Sequence, residues 1–344
     1  MAESFPFQFD SKTIQNTSKP GSTTNLNITL PNVRGRIPSL QASHLRTLAQ
    51  EAHTSPNKLI TTVGCYDGLS ARLCAEAGFP AIFLGGFAMS SSLGLPDTGY
   101  ITYPDIVGKI AEAATQVNVP IIVDGDTGFG SPMNVRRTVA GFAQAGAAGV
   151  MIEDQTWPKR CGHTEGKEVV SRGEAYARLQ AAVDARNEGV DIWILARTDA
   201  YMHGYEEALA RAKEFARIGA DAVFVEALPD AEWMAKLRRD VDFSCWANIL
   251  EGGKTGGFGN GKEGISAKKI AEIGYTGTFY PISLVASHIV GIRQTLQHLK
   301  DSFMVSAPPV PLGFEEVREA VGFDKYNKGE AQYKIHGETN GAHA

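Results

Sequence analysis

The amino-acid sequence predicts an α/β fold, a (β/α)8 barrel of the TIM type. From about Leu59 onward, short apolar runs alternate with longer amphipathic stretches, and eight such strand–helix units follow one another. Most of the apolar runs are nearly continuous, as in parallel strands that are buried on both faces. The alternative is an open doubly wound sheet, but the Gly-x-Gly-x-x-Gly motif of a dinucleotide-binding sheet does not follow the first strand.

These apolar runs and amphipathic stretches define the predicted elements in order. The strands are predicted at Leu59–Cys65, Ala81–Gly85, Pro120–Asp124, Gly149–Glu153, Ile192–Arg197, Ala222–Glu226, Phe243–Ile249 and Thr278–Ile282. The helices are predicted at Gly68–Ala77, Pro104–Gln116, Asn134–Gln144, Arg172–Asn187, Tyr205–Ile218, Ala231–Arg238, Ala267–Ile273 and Val285–Leu299. Pro104 and the pair Glu206-Glu207 are typical of first helical turns, and Gly219 and Gly274 are typical of helix ends.

Composition restricts the class of partner and the location. The chain has 344 residues and a net charge of −5 without a basic block, which argues against nucleic acid or a membrane surface as a partner. We find no apolar run near about 18 residues and no signal-peptide pattern. The four cysteines have no metal-type spacing, so we expect a reduced, cytoplasmic protein; a mitochondrial or other organellar location stays open.

Three segments are predicted along the chain. Residues 1–36 are rich in Ser, Thr, Asn and Pro and are typical of a flexible N-terminal arm. Residues 37–305 form the predicted catalytic barrel, and residues 306–344 form a C-terminal extension. Within the barrel, Gly253–Gly264 holds six glycines and two lysines. Because it lacks the Gly-Lys-Ser/Thr ending of a phosphate-binding loop, we interpret it as a long surface loop.

Polar residues and one glycine pair lie at the predicted carboxyl ends of the strands, where a barrel has its active site. They are Asp67, Gly85-Gly86, Asp97, Asp124, Asp126, Glu153, Asp154, Arg197, Asp199, Glu226, Asn248 and Glu251. A single strand-end acid commonly caps the next helix, but many acids that converge from separate strands repel one another unless a cation lies among them. Oxygen ligands suit Mg²⁺ or Mn²⁺, and the absence of a His/Cys cluster argues against zinc.

The run Asp124–Gly130 is the strongest metal-site candidate. Asp124 and Asp126 are two residues apart and leave a strand in the same direction, and the glycines let a substrate approach backbone amides. The alternative is a glycine-rich turn whose acids cap the following helix. Gly85-Gly86 is a candidate site where backbone N–H groups bind a carboxylate, with tight packing as the alternative.

The pentapeptide Lys159–His163 brings a thiol, cations and an imidazole together. Cationic neighbours favour the thiolate form of a cysteine, which transfers protons well, so Cys161 is a candidate general acid/base. Gly162 predicts a loop that can bend. The alternative is an exposed basic turn with an incidental cysteine.

Several of these segments resemble the isocitrate lyase/phosphoenolpyruvate mutase superfamily. They are Leu95-Pro96-Asp97, Asp124–Gly130, Ile152–Gln155, Lys159–His163, Ala196–Ala200 and Ala247–Ile249, in order between about Leu59 and Lys300. The resemblance implies an α/β barrel whose eighth helix is exchanged between subunits, in a homotetramer built as a dimer of dimers.

The resemblance also implies roles for the matching residues. The implied Mg²⁺ ligands are Asp124 directly, and Asp97, Asp126 and Glu153 through water. The implied contacts to the 2-oxo acid carboxylate are the backbone of Gly85 and Gly86 and the side chain of Arg197. The implied catalytic loop carries Lys159 and Cys161, whose thiol would protonate a departing enolate. The rest of the pocket would be lined by His163, Glu226 and Asn248. Such a site suits retro-aldol (Claisen-type) cleavage, because the metal and Arg197 stabilise oxyanion charge.

Four features narrow the implied activity. Phosphonomutases of the family lack the loop cysteine, so Cys161 argues against P–C chemistry, and true isocitrate lyases are considerably longer. Members that hydrolyse oxaloacetate carry a serine where Pro281 stands. A methylisocitrate lyase needs extra arginine for a third carboxylate, and neither Ser283–Ser287 nor Gly313–Val317 supplies one, although Arg318 is near.

The resemblance therefore implies Mg-dependent cleavage of a 2-alkylmalate, such as 2,3-dimethylmalate, to pyruvate and a carboxylate. The alternatives are 2-methylisocitrate lyase, which forms pyruvate and succinate, and oxaloacetate hydrolase, which forms oxalate and acetate. A binding barrel without catalysis is disfavoured, because the metal set and Cys161 are intact.

Overall fold

The eight predicted strands form a closed ring in the computed structural model, which describes residues 35–55, 58–162, 164, 166–250, 254–255, 265–307 and 311–333. The ring consists of β1 (Ile60–Cys65), β2 (Ile82–Leu84), β3 (Ile121–Asp124), β4 (Gly149–Glu153), β5 (Trp193–Thr198), β6 (Ala222–Val225), β7 (Cys245–Leu250) and β9 (Gly277–Tyr280). The short β8 (Lys254–Thr255) pairs antiparallel to β7. Strands β1 to β7 pair in chain order, all parallel, and β9 pairs with both β7 and β1. The predicted barrel is confirmed, and the open sheet is excluded.

The helices follow the predicted alternation with four additions. They are α1 (Leu40–Thr54), α2 (Gly68–Glu76), α3 (Gly86–Ser92), α4 (Tyr103–Ala114), α5 (Pro132–Ala145), α6 (Arg172–Glu188), α7 (Tyr205–Ile218), α8 (Ala231–Val241), α9 (Ala267–Ile273), α10 (Ser283–Ser302), α11 (Phe314–Ala320) and α12 (Phe323–Gln332). The four that the sequence did not predict are α1, α3, α11 and α12. Gly219 and Gly274 end α7 and α9 with φ of 115° and 92°, as expected of left-handed helix ends.

Helix α1 packs against the amino ends of the barrel strands. Leu45, Ala49 and Ala52 belong to the same buried cluster as the inward-facing aromatic residues of the strands. A Cβ atom on Gly149, the first residue of β4, would lie 3.0 Å from Leu45 Cδ2. The amino end of the barrel is therefore filled by α1.

The interior of the barrel is filled largely by aromatic rings. The Phe279 ring lies 4.1 Å from that of Phe83 and 4.9 Å from that of Trp246, measured between centroids. Trp246 in turn lies 5.3 Å from Trp193. Because close-packed rings leave little free volume, a cavity can form mainly where the strands end, at the carboxyl side.

Helix α10, the eighth helix of the barrel, exposes apolar side chains along much of its length. Val285, near its start, is buried, whereas Val290 and Leu296 are 51% and 60% exposed. The predicted exchange of this helix between subunits stays a prediction. No helix of the described residues is both long and apolar enough to cross a membrane. The predicted surface loop Gly253–Gly264 lies outside the described residues except for Lys254 and Thr255, which form β8. Glu251 also lies outside them.

Candidate active site

Four carboxylates converge at the carboxyl end of the barrel: those of Asp97, Asp124, Asp126 and Glu153. Asp124 and Glu153 end β3 and β4, and all four side chains are buried. A Cβ atom on Gly86 would lie 2.9 Å from Asp124 Oδ2 and 3.4 Å from Asp126 Oδ1. Because Gly86 has no side chain, the first turn of α3 can approach the acids. The Gly86 N–H donates to Asp124 Oδ2 at 3.2 Å.

The ammonium of Lys159 lies among these acids. It forms ion pairs with Asp97 and, at 2.7 Å, with Asp126 Oδ1. Burial disfavours the charged amine, but the surrounding carboxylates outweigh it and raise the pKa of Lys159 well above its usual value. The four buried carboxylates outnumber the two cationic side chains that contact them, Lys159 and Arg197, so the cluster retains a demand for positive charge.

Two acids of the cluster have a buried oxygen that accepts no hydrogen bond from the described residues. These oxygens are Asp126 Oδ2 and Glu153 Oε1. Asp126 also has a φ of 47°, a left-handed conformation that is unusual for a residue other than glycine. Burial raises the pKa of Asp126 to about 7, although Lys159 acts in the opposite direction, and burial raises the pKa of Glu153 well above its usual value. Such oxygens suit a hydrated cation.

The donor set fits Mg²⁺ or Mn²⁺ held largely through water. Among the described residues, no three His, Cys, Asp or Glu side chains are arranged to hold a metal ion directly. Mg²⁺ does not need such a cage, because it commonly takes one or two protein carboxylates and keeps several waters. Asp124 as the direct ligand, with Asp97, Asp126 and Glu153 behind water, is consistent with the unsatisfied oxygens.

Arg197 on β5 forms the second charged centre. Its guanidinium makes two hydrogen bonds to Asp199, at 2.9 and 3.1 Å, and ion pairs with Glu153 at 3.3 Å and Glu226 at 3.2 Å. Burial disfavours its charge, but these carboxylates, Asp199 foremost, outweigh it and raise the pKa of Arg197 further. The guanidinium is thus charged, rigidly oriented and placed beside a cavity, as recognition of a carboxylate requires.

The loop that carries Cys161 folds over this centre. The buried side chain of Gln155 accepts from the N–H of Arg160 and donates to its carbonyl oxygen, both at 3.0 Å, which fixes the start of the loop. A Cβ atom on Gly162 would lie 2.5 Å from Arg197 Nη2 and 2.6 Å from Glu226 Oε2. The glycine therefore lets the loop backbone approach Arg197, which places Cys161 beside the cavity.

A cavity of about 300 Å³ lies between the acids, Arg197 and the loop. Its polar lining comprises Gly85, Gly86, Asp97, Asp124, Cys161, Gly162, Thr164, Arg197, Glu226 and Asn248. Its apolar lining comprises Phe83, Phe87, Met151, Phe224, Phe279, Pro281 and Ile282. Among the described lining residues, Arg197 is the only Lys, Arg or His side chain.

The structure brings most of the predicted site residues together. Nine of them line the cavity: Gly85, Gly86, Asp97, Asp124, Cys161, Arg197, Glu226, Asn248 and Pro281. Glu153 lies behind them in contact with Arg197. Lys159 and Asp126 lie in the adjoining acid cluster. His163 lies outside the described residues. The sequence did not indicate Phe87, Thr164 or Lys167, because these residue types carry no motif of their own.

Two strand-end acids have structural roles instead. Asp67 caps α2 by accepting from the N–H of Ser70 at 2.7 Å. Asp154 accepts from the Thr198 hydroxyl at 2.6 Å and pairs with Arg211 at 2.9 Å, and it does not line the cavity. Ser131, not the acids of the Asp124 loop, caps the helix that follows that loop.

Replacing Arg211 by methionine is expected to destabilise the barrel by about 3–5 kcal/mol, the range measured when one partner of a buried ion pair is removed. Both side chains are nearly inaccessible, and the change leaves the Asp154 carboxylate without its cation. Denaturant unfolding would measure the effect. The matched control is Arg217→Met on the same helix, whose exposed pair with Glu214 should leave the unfolding midpoint unchanged. Equal midpoints for both variants would contradict the prediction.

Fold and site together define an enzyme of the α/β-barrel class, with buried acids and an arginine at the carboxyl ends of the strands. The chain matches the phosphoenolpyruvate phosphomutase family over residues 49–300. It belongs to the phosphoenolpyruvate mutase/isocitrate lyase superfamily, as its motifs indicated.

Similar proteins include lyases of this superfamily. The chain is 37% identical to a probable 2-methylisocitrate lyase of Corynebacterium glutamicum over 263 residues, which cover 76% of this chain and 83% of the relative. It is 33% identical to a 2,3-dimethylmalate lyase of Eubacterium barkeri over 284 residues, which cover 81% and 95%. A solved oxaloacetate acetylhydrolase with bound 3,3-difluorooxalacetate superposes with a TM-score of 0.75 at 30% identity, over 85% of this chain and 96% of that one.

Proposed function

We propose that this enzyme is a Mg²⁺-dependent carbon–carbon lyase that cleaves a 2-alkylmalate, such as 2,3-dimethylmalate, to pyruvate and a carboxylate. The observation that carries the proposal is the cavity lining: the lining residues that the structure describes offer one cationic side chain, Arg197, beside a largely aromatic wall. A substrate with an alkyl substituent fits such a wall, because burying apolar surface is favourable and burying an unpaired carboxylate is costly.

Substrate binding follows from the charged groups. Arg197 binds the carboxylate of the 2-oxo acid half, with the backbone of Gly85 and Gly86 beside it. Asp124 would hold Mg²⁺ directly, and Asp97, Asp126 and Glu153 would hold it through water; the bound ion would supply positive charge for the oxyanion that develops at C2. Lys159 keeps the acids together and places a second positive charge next to the same oxygens.

Cleavage then requires two proton transfers. A carboxylate takes the proton of the C2 hydroxyl, and Glu226, which lines the cavity beside Arg197, is our candidate for this base. The C2–C3 bond breaks, C2 becomes the carbonyl carbon of pyruvate, and the bonding electrons remain on C3. The thiol of Cys161 gives its proton to C3, which neutralises the carbanion, and the second product leaves as a saturated carboxylate. Asn248 offers an amide for the same product.

Two alternatives differ in what the cavity must hold. A 2-methylisocitrate lyase must bind a third carboxylate, and a 2-methylisocitrate lyase is among the relatives. An oxaloacetate hydrolase must place a water beside C2, and Pro281 offers no hydroxyl at its position in the lining. Arg197 is the one cationic side chain among the described lining residues, which disfavours a third carboxylate, and Pro281 disfavours a bound water. Both observations favour the alkylmalate.

Product assays would distinguish these activities. With Mg²⁺ present, we expect pyruvate from 2,3-dimethylmalate and little product from 2-methylisocitrate or oxaloacetate, each supplied separately. The Cys161→Ser variant, purified identically, serves as the control for contaminating lyases. The alkylmalate proposal would be overturned if oxalate formed from oxaloacetate with a higher kcat/KM than pyruvate forms from 2,3-dimethylmalate. If succinate formed from 2-methylisocitrate with the higher kcat/KM, the enzyme would be a 2-methylisocitrate lyase.

The same proposal includes assembly and location. The exposed apolar side chains of α10 are suited to packing against a second copy of the chain, in which the eighth helix is exchanged within a homotetramer. Cys65, Cys74 and Cys245 are buried thiols, which is consistent with a reducing compartment such as the cytoplasm.

A further inference from the structure

A largely buried ion pair connects the Cys161 loop, which runs from Lys159 to Lys167, with Arg197. The Lys167 ammonium donates to the carbonyl oxygen of Gly162 and to Asp199 Oδ1, both at 2.6 Å. The Lys167 side chain is 10% exposed and that of Asp199 is fully buried. Hydrogen bonds from an ammonium in such surroundings are stronger than those of exposed pairs.

Asp199 is shared between this lysine and Arg197. Its two oxygens accept from Arg197, and Oδ1 also accepts from Lys167. Burial opposes ionisation of Asp199, but Arg197 and Lys167 outweigh it and lower the pKa of its carboxyl. Asp199 is held in turn by its own N–H, which donates to Asp154 at 3.0 Å. The carboxylate is therefore a fixed point to which both cations are tied.

Gly162 lies at the other end of the contact. A Cβ atom at this position would lie 2.5 Å from Arg197 Nη2 and 2.6 Å from Glu226 Oε2, so a side chain would displace these groups. The loop places the Gly162 carbonyl within reach of Lys167, and Cys161, the preceding residue, at the cavity. The same contact joins the position of the acid/base loop to the position of the carboxylate-binding arginine.

We infer that Lys167 is a positioning residue that holds the Cys161 loop against Arg197, beside the cavity, by joining the Gly162 carbonyl to Asp199. This rests on the proposed function, since Arg197 and Cys161 have their roles there. Lys167 does not itself line the cavity, but it contacts Gly162, which does, so it acts through the loop. A substrate that orients Arg197 thereby also fixes Asp199, the anchor of the loop.

Alkylation of Cys161 by iodoacetamide, followed by mass spectrometry of its peptide, tests this without turnover. Lys167→Met keeps the aliphatic stem and removes the ammonium. We expect Cys161 in this variant to react about 10- to 100-fold faster than in the wild type, the factor that corresponds to a lost hydrogen bond with a charged group. The value of kcat/KM should fall by a similar factor. Lys167→Arg, which keeps the charge, should recover most of the protection.

The matched control is Lys269→Met, because Lys269 is exposed on α9 and forms only a long ion pair with Glu272. Equal alkylation rates for Lys167→Met, Lys269→Met and the wild type would overturn the inference. If Lys167→Met does not fold, Lys167→Gln replaces it with the same two outcomes. Repeating the assay with Mg²⁺ and oxalate separates the two proposals: failure of oxalate to protect wild-type Cys161 counts against the proposed substrate class, whereas the comparison without oxalate still tests Lys167.

Discussion

Replacing Asp124 by asparagine is expected to weaken Mg²⁺ binding at least about 100-fold, the upper range for groups that support a metal only indirectly. The amide keeps the shape of the side chain, but its one oxygen can accept from only one of the Gly86 and Asp126 N–H groups, which donate to different oxygens of the carboxylate. It removes the charge of the one acid that we place in direct contact with the metal. Turnover should fall with metal occupancy and should recover in part at high Mg²⁺ concentration.

Binding of Mn²⁺ followed by electron paramagnetic resonance would measure the affinity independently of activity. The control is Asp184→Asn, because Asp184 lies on α6 and bonds only to Gln180 among the described residues. The control should bind Mn²⁺ as the wild type does. Wild-type affinity in Asp124→Asn, with full activity, would refute the metal assignment.

Replacing Cys161 by serine is expected to lower kcat by about 10²- to 10⁴-fold, the usual contribution of a positioned acid or base. A hydroxyl has nearly the size of a thiol but gives up its proton far less readily. Binding of oxalate with Mg²⁺ should remain, because Arg197 and the acid cluster are unchanged. Titration calorimetry with oxalate would establish this second point.

Cys74→Ser is the matched control for the thiol. Cys74 is a buried residue of α2 that does not line the cavity, and burial raises its pKa to about 11, so it remains protonated. The control should keep its kcat. If Cys161→Ser also keeps its kcat, Cys161 is not the acid, and the proton that reaches C3 has another source.

Periodicity was sufficient to predict the eight strands, because parallel strands buried on both faces read as continuous apolar runs. Most site residues were predictable for a related reason: the carboxyl ends of those strands must meet. Helix α1 was missed because three of its four buried residues are alanines, which mark an apolar face only weakly. Its partner is the interior of the barrel, which no local pattern reveals.

The contacts of the two lysines were also beyond sequence reasoning. Lys159 pairs with Asp97, 62 residues earlier, and Lys167 pairs with Asp199, 32 residues later. A lysine in a glycine-containing loop is usually solvated, and only tertiary packing decides which carboxylate it meets. The strand-end position of Asp199 was visible in the sequence, but its division between Arg197 and Lys167 depends on how the loop folds back.

Helix α1 has a consequence for the passage of molecules through the barrel. Because it fills the amino end and the aromatic rings fill the middle, substrate and products share the opening at the carboxyl end. In the proposed mechanism, Arg197 holds the keto acid at the inner wall and the leaving carboxylate forms on the side of Cys161. That mechanism predicts that the carboxylate departs first and the keto acid second, so that the keto acid inhibits competitively with the substrate and the carboxylate does not.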